Sequence, residues 1–441
     1  MTEQTSSPLA EKYPDCMHCG LCLQVCPTYL QTGDENMSPR GRLYLMKAVD
    51  EERIQLADAI PALDLCLDCR ACEQACPSGV RYSRILEPMR VRQHQMEKPR
   101  RGLAAWMQSE IIPDRRRLKK ALMPVRWMQA LHLTPLLRGV SKILPKSLRG
   151  MIEQLPTLQK TQLDLPAVSK PSKNAPANSQ AQTSSGEASL GTPKRVAMFL
   201  GCASEAMFPV LNRATVRVLQ AFGCEVHTPE NQVCCGALPY HSGDTTKALD
   251  QMATNAITFG ALPQMDAIIM NAAGCGASLK EAGVLGREIA ADKLELHQAL
   301  DAMSAQTRDV HEFLITLQPP KFKPVRIKAV YDDACHLKHA QGISQPPRQL
   351  LQLIPGLELL PLPESEHCCG AAGSYALHQP EMSHQLGMQK AKHILNSGAE
   401  VVLSANIGCI IQIQKSLREL GASAKHIRVM HPIEILDQAL S

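Results

Sequence analysis

The sequence predicts a multi-domain α+β protein, with a small α-helical domain near the N-terminus followed by two duplicated α/β domains. Two matching cysteine runs near the N-terminus predict the helical domain. Cysteines that recur at equal intervals in the second half indicate an internal duplication. Each copy alternates apolar strand patterns with helical patterns, as is typical of α/β folds.

The two N-terminal runs, over 16–27 and 66–77, both read C-x2-C-x2-C-x3-C-P. In bacterial ferredoxins this spacing binds two 4Fe-4S clusters, and the fourth cysteine of each run ligates the other cluster. A disulfide framework and structural zinc are the alternatives, but zinc usually takes two C-x2-C pairs. The runs predict a ferredoxin-like domain whose cluster ligands are Cys16, Cys19, Cys22 and Cys76 for the first cluster and Cys66, Cys69, Cys72 and Cys26 for the second.

Length and composition limit the class of protein. The 441 residues predict about three domains, and 17 cysteines without an apolar N-terminal signal segment predict the cytosol. No stretch reaches the roughly 18 uninterrupted apolar residues of a membrane-spanning helix. A net charge of +5 and an aromatic content of 3% disfavour nucleic acid as a partner.

The segments between the two halves differ in character. Ser38 and Pro39 open a helical stretch predicted over 43–56, where Arg40 and Arg42 either compensate anionic clusters or form a solvated helix start. Residues 98–151 are basic and contain Trp106 and Trp127. This composition predicts docking on an anionic membrane or on a partner protein. The alternative is a partly solvated helical hairpin that packs on the N-terminal domain. Four prolines divide this segment into short helices: Pro113, Pro124, Pro135 and Pro145. Residues 156–193, rich in Pro, Ser, Ala, Gln and Asn, predict a flexible linker.

The second half repeats one cysteine pattern. Each copy has a single cysteine, a Cys-Cys-Gly segment that begins 32 or 33 residues later, and a Gly-Cys segment whose cysteine lies 40 residues beyond the pair. Strands are predicted over 195–200, 225–228 and 267–270, then over 326–331, 357–360 and 400–403, with a helix over 206–222. The cysteines follow the C-terminal ends of strands, where open α/β sheets bind ligands. The candidate metal or redox ligands are Cys202, Cys234, Cys235, Cys275, Cys335, Cys368, Cys369 and Cys409.

These cysteine, glycine and histidine motifs also admit interpretations that involve no metal or cofactor. The eight cysteines could equally form a metal-free core or a subunit-docking surface, because free cysteine packs as a small apolar residue. The segment 274–276 imitates a dinucleotide-binding loop, but Leu279 stands where the third glycine belongs. Cys224 has no counterpart in the second copy and is expected to be structural, and His241, His336 and His367 are expected to be satisfied by ordinary hydrogen bonds. The predicted domains are 1–97, 98–151, 152–193, 194–320 and 321–441.

Along essentially its full length the sequence resembles the iron-sulfur subunits of glycolate oxidase. The resemblance lies in the paired cysteine runs, Pro-Arg-Gly-Arg at 39–42, Cys-Pro-Ser-Gly-Val-Arg-Tyr at 76–82, Ala-Gly-Cys-Gly at 273–276 and the two CCG domains. CCG domains also occur in heterodisulfide reductase subunits and lactate-utilisation proteins, so alone they indicate a superfamily. In the heterodisulfide reductase branch the last element is C-x2-C, whereas Ala272 and Asn406 replace its first cysteine here.

The resemblance implies an electron-transfer subunit of a glycolate dehydrogenase complex, carrying two 4Fe-4S clusters and, as a further candidate, an iron-sulfur centre in the CCG domains. Its implied partners are flavin-containing subunits that oxidise glycolate to glyoxylate, a quinone-type acceptor, and the cytoplasmic face of the inner membrane. The chain has no evident flavin or NAD motif and no evident catalytic residues, so the hydride chemistry is expected on partner subunits. The alternatives are an iron-sulfur component of a D-lactate or other 2-hydroxy-acid dehydrogenase, a CCG-type disulfide or quinone reductase, and a docking scaffold.

Overall fold

The computed structural model describes residues 16–96, 106–131, 133, 158–159, 164–173, 175–176, 193–290 and 293–440. Pro135, Pro145 and most of the expected linker lie outside these ranges. Within them, the predicted fold class is confirmed: a helical N-terminal domain precedes two mixed helix and sheet domains. In the part of the chain described here, no helix is both long and apolar enough to cross a membrane.

The N-terminal domain packs short helices around the cysteine runs. Its helices are α1 (Pro27–Thr32), α2 (Pro39–Asp50), α3 (Leu56–Asp64), α4 (Ala71–Gln74) and α5 (Tyr82–Met96). Helix α2 begins four residues earlier than predicted because the Ser38 side chain accepts a hydrogen bond from the Gly41 N–H, and Pro39 suits the first helical position. It ends at Asp50, well before the predicted residue 56, and the chain turns at Glu52 with a φ of 56°.

Two short helices of the basic segment pack on the first α/β domain. They are α6 (Arg115–Ala121) and α7 (Met123–Ala130), and Pro124 lies in the first turn of α7. Leu118 is buried against Ala206, and Lys119 Nζ lies 3.1 Å from Glu205 Oε1. These described helices therefore do not form the expected hairpin on the N-terminal domain, because Leu118 and Leu122 pack against the first copy.

The first copy forms a five-stranded sheet in the order β1-β3-β2-β4-β5. Its strands are β1 (Val168–Ser169), β2 (Lys194–Met198), β3 (Cys224–His227), β4 (Ala267–Met270) and β5 (Thr307–Asp309). Strand β1 pairs antiparallel to β3, whereas the other pairs are parallel. The flexible-linker prediction is wrong at β1, because the unpaired backbone groups of an edge strand accept a neighbour of almost any composition.

The second copy repeats this sheet in the order β7-β6-β8-β9, with all pairs parallel. Its strands are β6 (Ile327–Asp332), β7 (Leu357–Leu360), β8 (Val401–Ser404) and β9 (Arg428–Met430). The six predicted strands all form, within two residues of their expected bounds. The predicted duplication is therefore visible as two sheets with the same order of equivalent strands.

Helices cover both sheets. In the first copy they are α8 (Cys202–Met207), α9 (Pro209–Ala221), α10 (Ala237–His241), α11 (Thr245–Gly260), α12 (Ala273–Ile289), α13 (Leu294–Gln306) and α14 (Val310–Leu314). In the second they are α15 (Gln345–Gln352), α16 (Tyr375–His378), α17 (Pro380–Asn396), α18 (Ile407–Glu419) and α19 (Pro432–Leu440). The single helix predicted over 206–222 is divided at Phe208, because a residue before proline avoids the helical region.

The two copies share an apolar core. Helix α19 packs on helix α9, where Leu219 and Leu436 are fully buried, and Arg217 and Asp437 form an ion pair of 2.7 Å beside them. The N-terminal domain contacts both copies through polar pairs. Arg70 binds Glu281 of α12 at 2.5 Å, and the hydroxyl of Tyr375 in α16 donates to the Leu65 carbonyl at 3.0 Å. This arrangement brings the N-terminal cysteines close to the second copy.

Candidate metal centres

The two N-terminal cysteine loops share one backbone conformation. His18 and Gly20 in the first run, and Asp68 and Arg70 in the second, all have positive φ, between 49° and 82°. Three of the four are not glycine, so both loops hold residues in a conformation that most side chains disfavour. This winding lets the backbone turn inward, and the Asp68 N–H points at Cys66 Sγ at 3.4 Å. Such N–H donors favour a negatively charged sulfur.

The second predicted ligand set converges in the structure. Burial raises the pKa of the Cys72 thiol well above its ordinary value, and negative charge on Cys69, Cys66 and Cys26 raises it further. Cys26 is 40 residues away from Cys66 in sequence, yet it lies near enough to Cys72 to influence its charge. Four sulfurs this close cannot all ionise without cations beside them. Iron ions would supply that charge, and soft thiolates suit them.

The first predicted set is nearer the surface. Burial raises the pKa of Cys22 to about 11, and the neighbouring Cys16 adds to this effect. Cys16 and Cys76 are half-buried and pack against the same apolar core of the N-terminal domain, while Cys19 is exposed. The residues fit a cluster at the edge of the domain, where a partner protein can approach within electron-transfer distance.

Arg42 lies between the two cysteine runs and is 1% exposed. Its guanidinium donates to the Ala62 carbonyl at 2.6 Å and to Thr28 Oγ1 at 3.0 Å, and it reaches Cys26 Sγ at 4.0 Å. Burial alone would lower the pKa of Arg42, but negative charge on Cys66 and Cys26 raises it above its ordinary value. Of the two arginines proposed from the sequence, Arg42 is thus placed to compensate buried sulfur charge. Arg40 instead pairs with Glu35 at 2.6 Å.

The four thiols of the first copy lie together at the C-terminal ends of its strands. The Cys202 thiol donates to Cys234 Sγ at 3.8 Å, and Cys235 neighbours both Cys234 and Cys275. A hydrogen bond to Cys234, followed by burial, raises the pKa of Cys202 well above its ordinary value. The group is enclosed by apolar residues, so an isolated thiolate there would be costly.

The four thiols of the second copy form an equivalent chain from Cys335 through Cys368 and Cys369 to Cys409. The pKa of Cys368 is held well below its ordinary value because the Cys335 and Cys369 thiols hydrogen-bond to it. Asn406 Nδ2 lies 3.5 Å from Cys409 Sγ. Each copy therefore offers a set of four sulfur atoms in which a metal centre fits.

The glycine of each Cys-Cys-Gly segment has a structural reason. Gly236 and Gly370 have φ of 87° and 84°, in the left-handed region. A Cβ atom on Gly370 would lie 2.8 Å from the Ser383 carbonyl oxygen, and one on Gly236 would lie 2.9 Å from the Ala248 oxygen. Helix α11 in the first copy and helix α17 in the second can therefore pack directly against the cysteine pair only when glycine occupies this position.

The second N-terminal cysteine set borders the second copy, a contact that the sequence did not predict. Cys69 and Leu67 pack in one apolar group with Cys335, Cys368 and Tyr375. Burial raises the pKa of Cys69, and negative charge on Cys368 is the next largest cause. Among the described residues, the apolar group around the first copy's thiols contains no N-terminal cysteine. The structure thus connects one N-terminal set to one copy.

Other residues of interest lie around this contact. His367 Nδ1 is 3.2 Å from Glu364 Oε2, as expected for a satisfied histidine. His241 Nδ1 lies 2.8 Å from Glu87 Oε1 and 3.2 Å from Asp68 Oδ2, and burial lowers the pKa of His336 to about 4. Cys224 begins strand β3 and is fully buried in the shared core, away from the eight grouped thiols. Asp68 was not singled out from the sequence, although its position between two predicted ligands was a signal.

Comparison with protein-family models agrees with this arrangement. A model described as a 4Fe-4S dicluster domain matches residues 13–80, and the cysteine-rich domain CCG matches residues 196–280 and 329–414. A solved structure described as a hypothetical protein from Helicobacter pylori matches with a TM-score of 0.52 and 11% identity, covering 95% of this chain and 71% of that one. At this identity the similarity concerns the fold alone. Fold and site together define an iron-sulfur protein with duplicated cysteine-rich domains.

Sequence relatives narrow that class. The chain is 35% identical to a probable glycolate oxidase iron-sulfur subunit of Bacillus subtilis and 34% identical to the glycolate oxidase iron-sulfur subunit of Escherichia coli; each alignment covers 96% of this chain and 93% of the relative. Lactate utilization protein A of Halalkalibacterium halodurans is 31% identical over 55% of this chain and 96% of its own length. The chain belongs to the family of glycolate oxidase iron-sulfur subunits, which confirms the resemblance inferred from its motifs.

Proposed function

We propose that this chain is the electron-transfer subunit of a glycolate dehydrogenase complex. Oxidation of glycolate to glyoxylate releases two electrons and two protons, and flavin-containing partner subunits would accept them. This chain would carry the electrons onward one at a time to a quinone-type acceptor. Full-length similarity to glycolate oxidase iron-sulfur subunits supports the substrate, and the cysteine sets support the electron-transfer role.

The N-terminal domain would hold two 4Fe-4S clusters, which supply reversible one-electron steps when bound. The ligands proposed for them are Cys16, Cys19, Cys22 and Cys76 for one cluster and Cys66, Cys69, Cys72 and Cys26 for the other. Arg42 would compensate the negative charge of the second set, because its guanidinium is buried beside Cys26. The N–H groups that point at the loop sulfurs would favour the reduced state in the same way.

The contact between Cys69 and Cys368 is the observation that carries the proposal. It supports an electron path from the second N-terminal set into the thiols of the second copy, which would themselves hold a metal or redox centre. Cys368 also lines a small pocket between helices α1 and α17, together with Leu30, His367 and Lys390.

The surface of helices α6 and α7 supports peripheral attachment to the cytoplasmic face of the inner membrane. Trp127 is 70% exposed and Met123 is 51% exposed, and both lie on a helix that follows the basic helix α6. Exposed aromatic and apolar side chains beside arginine and lysine are typical of surfaces that bind anionic lipid. Removal of residues 98–151 should release the complex from membranes while its glycolate-dependent dye reduction continues.

The proposal is tested on the complex purified together with its flavin subunits, under anaerobic conditions. Cys69→Ser should abolish glycolate-dependent reduction of a quinone analogue and leave reduction of the flavin by glycolate intact. Cys224→Ser is the matched control, because this buried thiol lies in the shared core away from the grouped cysteines. Full activity of the Cys69 variant would remove the second N-terminal set from the electron path.

A second pair of variants tests the path into the CCG domains. Cys368→Ser should block quinone reduction, whereas Cys234→Ser, its counterpart in the first copy, should reduce the rate less. Equal losses in the two variants would contradict a path through the second copy. Iron and sulfide analysis of the same samples distinguishes loss of a centre from loss of the fold.

A related 2-hydroxy acid is the second candidate substrate. The similarity to lactate utilization protein A over 55% of the chain favours lactate over unrelated substrates. Comparison of glycolate and D-lactate in the same flavin-reduction assay separates the two. If neither acid reduces the complex, a disulfide or quinone reductase role of the CCG thiols remains; a chain that contains no iron would be a docking scaffold.

A further inference from the structure

A buried polar group lies where the N-terminal domain and the two CCG copies meet. Asp68 and Glu87 come from the N-terminal domain, His241 from helix α10 of the first copy, and His336 from the turn after strand β6 of the second. Asp68 is 5% exposed and Glu87 is 2% exposed. One carboxylate oxygen of Asp68 and one nitrogen of each histidine all lie within 4.8 Å of one another. Each of the three domains thus contributes a side chain to one point.

Several atoms in this group lack hydrogen-bond partners among the described residues. They are both carboxylate oxygens of Asp68, Glu87 Oε2, His336 Nε2 and the neighbouring Arg70 Nε, although Asp68 Oδ2 also lies 3.2 Å from His241 Nδ1. A buried polar atom without a partner costs about 1–3 kcal/mol, so native structures rarely contain several at one point. Several unpartnered polar atoms at the junction of three domains therefore indicate that this group binds a ligand.

The charges around the group favour a cation. Two buried carboxylates, Asp68 and Glu87, face one available guanidinium, that of Arg90, which lies 3.0 Å from Glu87 Oε1 and 3.8 Å from Asp68 Oδ2. Arg70 is also near, but its two terminal nitrogens bind both carboxylate oxygens of Glu281, at 2.5 and 2.9 Å. Glu87 and Asp68 raise the pKa of His241, so a proton on this imidazole offsets the second carboxylate when no ion is bound, and a cation would take the place of that proton. An anion would add negative charge beside two buried carboxylates and is therefore excluded.

We propose that Asp68, His241 and His336 bind a divalent transition-metal ion. Two imidazoles and a carboxylate are a common donor set for zinc and ferrous iron. Metal–ligand bonds of about 2.0–2.1 Å place tetrahedral ligand atoms roughly 3.3 Å apart, so small rotations of these side chains close the site. This site uses no sulfur ligand and is distinct from the cysteine sets.

The residues next to this site indicate that the ion would hold two domains together. His336 Nδ1 lies 3.6 Å from Cys335 Sγ, and Asp68 follows Cys66 and precedes Cys69 in its loop. The second nitrogen of a metal-bound histidine usually donates to an acceptor that orients the ring. A single ion would therefore fix the second N-terminal cysteine set against the thiols of the second copy. This inference does not depend on the substrate proposed above.

The test uses the full chain with its iron-sulfur clusters assembled, treated with a mild chelator, desalted and titrated with zinc. We expect about one zinc per chain beyond the iron, with X-ray absorption at the zinc edge showing nitrogen and oxygen neighbours and no sulfur. Zinc that is not retained, or zinc with sulfur neighbours, would overturn the proposal without any variant being needed.

Variants from two different domains provide a second readout. Asp68→Asn and His241→Gln should each lower zinc affinity at least ~10-fold, while iron and sulfide contents stay unchanged. The matched control is His367→Gln, because His367 is near Cys368 but pairs with Glu364 outside the group. Unchanged zinc affinity in both variants, at full iron content, would show that the ion binds elsewhere.

Discussion

Replacement of Arg42 by methionine should make the second N-terminal cluster harder to reduce. The Arg42 guanidinium is buried between the two cysteine runs, 4.0 Å from Cys26 Sγ. It also interacts with negative charge on Cys66. A positive charge at this place stabilises the electron that reduction adds. Methionine fills a similar volume without the charge, so the variant isolates the electrostatic contribution.

The expected size follows from Coulomb's law. We take a separation of ~6 Å between the unit charges, because the added electron is delocalised over the cluster. At an effective dielectric constant of about 20, two such charges interact by roughly 3 kcal/mol. For a one-electron couple, ~1.4 kcal/mol corresponds to about 59 mV. We therefore expect the reduction potential of this cluster to fall by roughly 100 mV. Arg42 is almost fully buried, so solvent screens this interaction only weakly.

An anaerobic redox titration followed by electron paramagnetic resonance measures this shift. Arg42→Lys retains the charge and should change the potential far less than Arg42→Met does. Arg53→Met is an exposed control, because Arg53 pairs with Glu51 at the surface. A shift below ~30 mV in Arg42→Met, in protein that retains about eight iron atoms per chain, would refute the electrostatic role of Arg42.

Two further substitutions test the second copy. Gly370→Ala should lower the apparent thermal midpoint of unfolding more than Gly398→Ala does. Both glycines have positive φ, but only a Cβ atom on Gly370 would clash with backbone atoms. The expected strain at Gly370 is at least ~1–2 kcal/mol. Equal midpoints would contradict the close packing of helix α17 on the cysteine pair. Lys390→Met should destabilise by ~3 kcal/mol because it leaves Asp332, 3.0 Å away and buried, without its cation. Burial already raises the pKa of Asp332, so its carboxyl binds a proton in the folded state at low pH. The loss of stability in Lys390→Met should therefore be larger at about pH 7 than at low pH. A loss that does not depend on pH would argue against this ion pair.

The sequence predicted the positions of the cysteines relative to the strands because both signals are local. Cysteine intervals are read directly, and a short apolar run followed by a glycine-rich segment marks a buried strand and its end. The exchange of Cys26 into the second ligand set stays a prediction from the spacing rule, and the structure places Cys26 near Cys72. The division of the helix at Phe208 was visible in principle, since Pro209 follows it directly.

The contacts between domains were not predictable in the same way. Cys69 and Cys368 are separated by most of the chain, and no periodic pattern specifies which of two similar copies the N-terminal domain contacts. That choice depends on individual side chains, such as Arg70 with Glu281, that look like ordinary surface charges in the sequence. Asp68 is a similar case, because its role depends on histidines from two other domains.

The two copies contact the N-terminal domain in different ways. Both have four grouped thiols, but the N-terminal domain contacts the first copy mainly through ion pairs on helix α12, where Arg70 binds Glu281 and Arg84 binds Glu288. It contacts the second copy through polar pairs, such as the Tyr375 hydroxyl with the Leu65 carbonyl, and also through an apolar group that contains Cys69 and Cys368. Charged pairs fix an orientation, whereas closely spaced sulfurs shorten an electron path. We therefore propose that the first copy positions the N-terminal domain and that the second copy receives the electron, so a change in the ion pairs should slow transfer without removing any metal ligand.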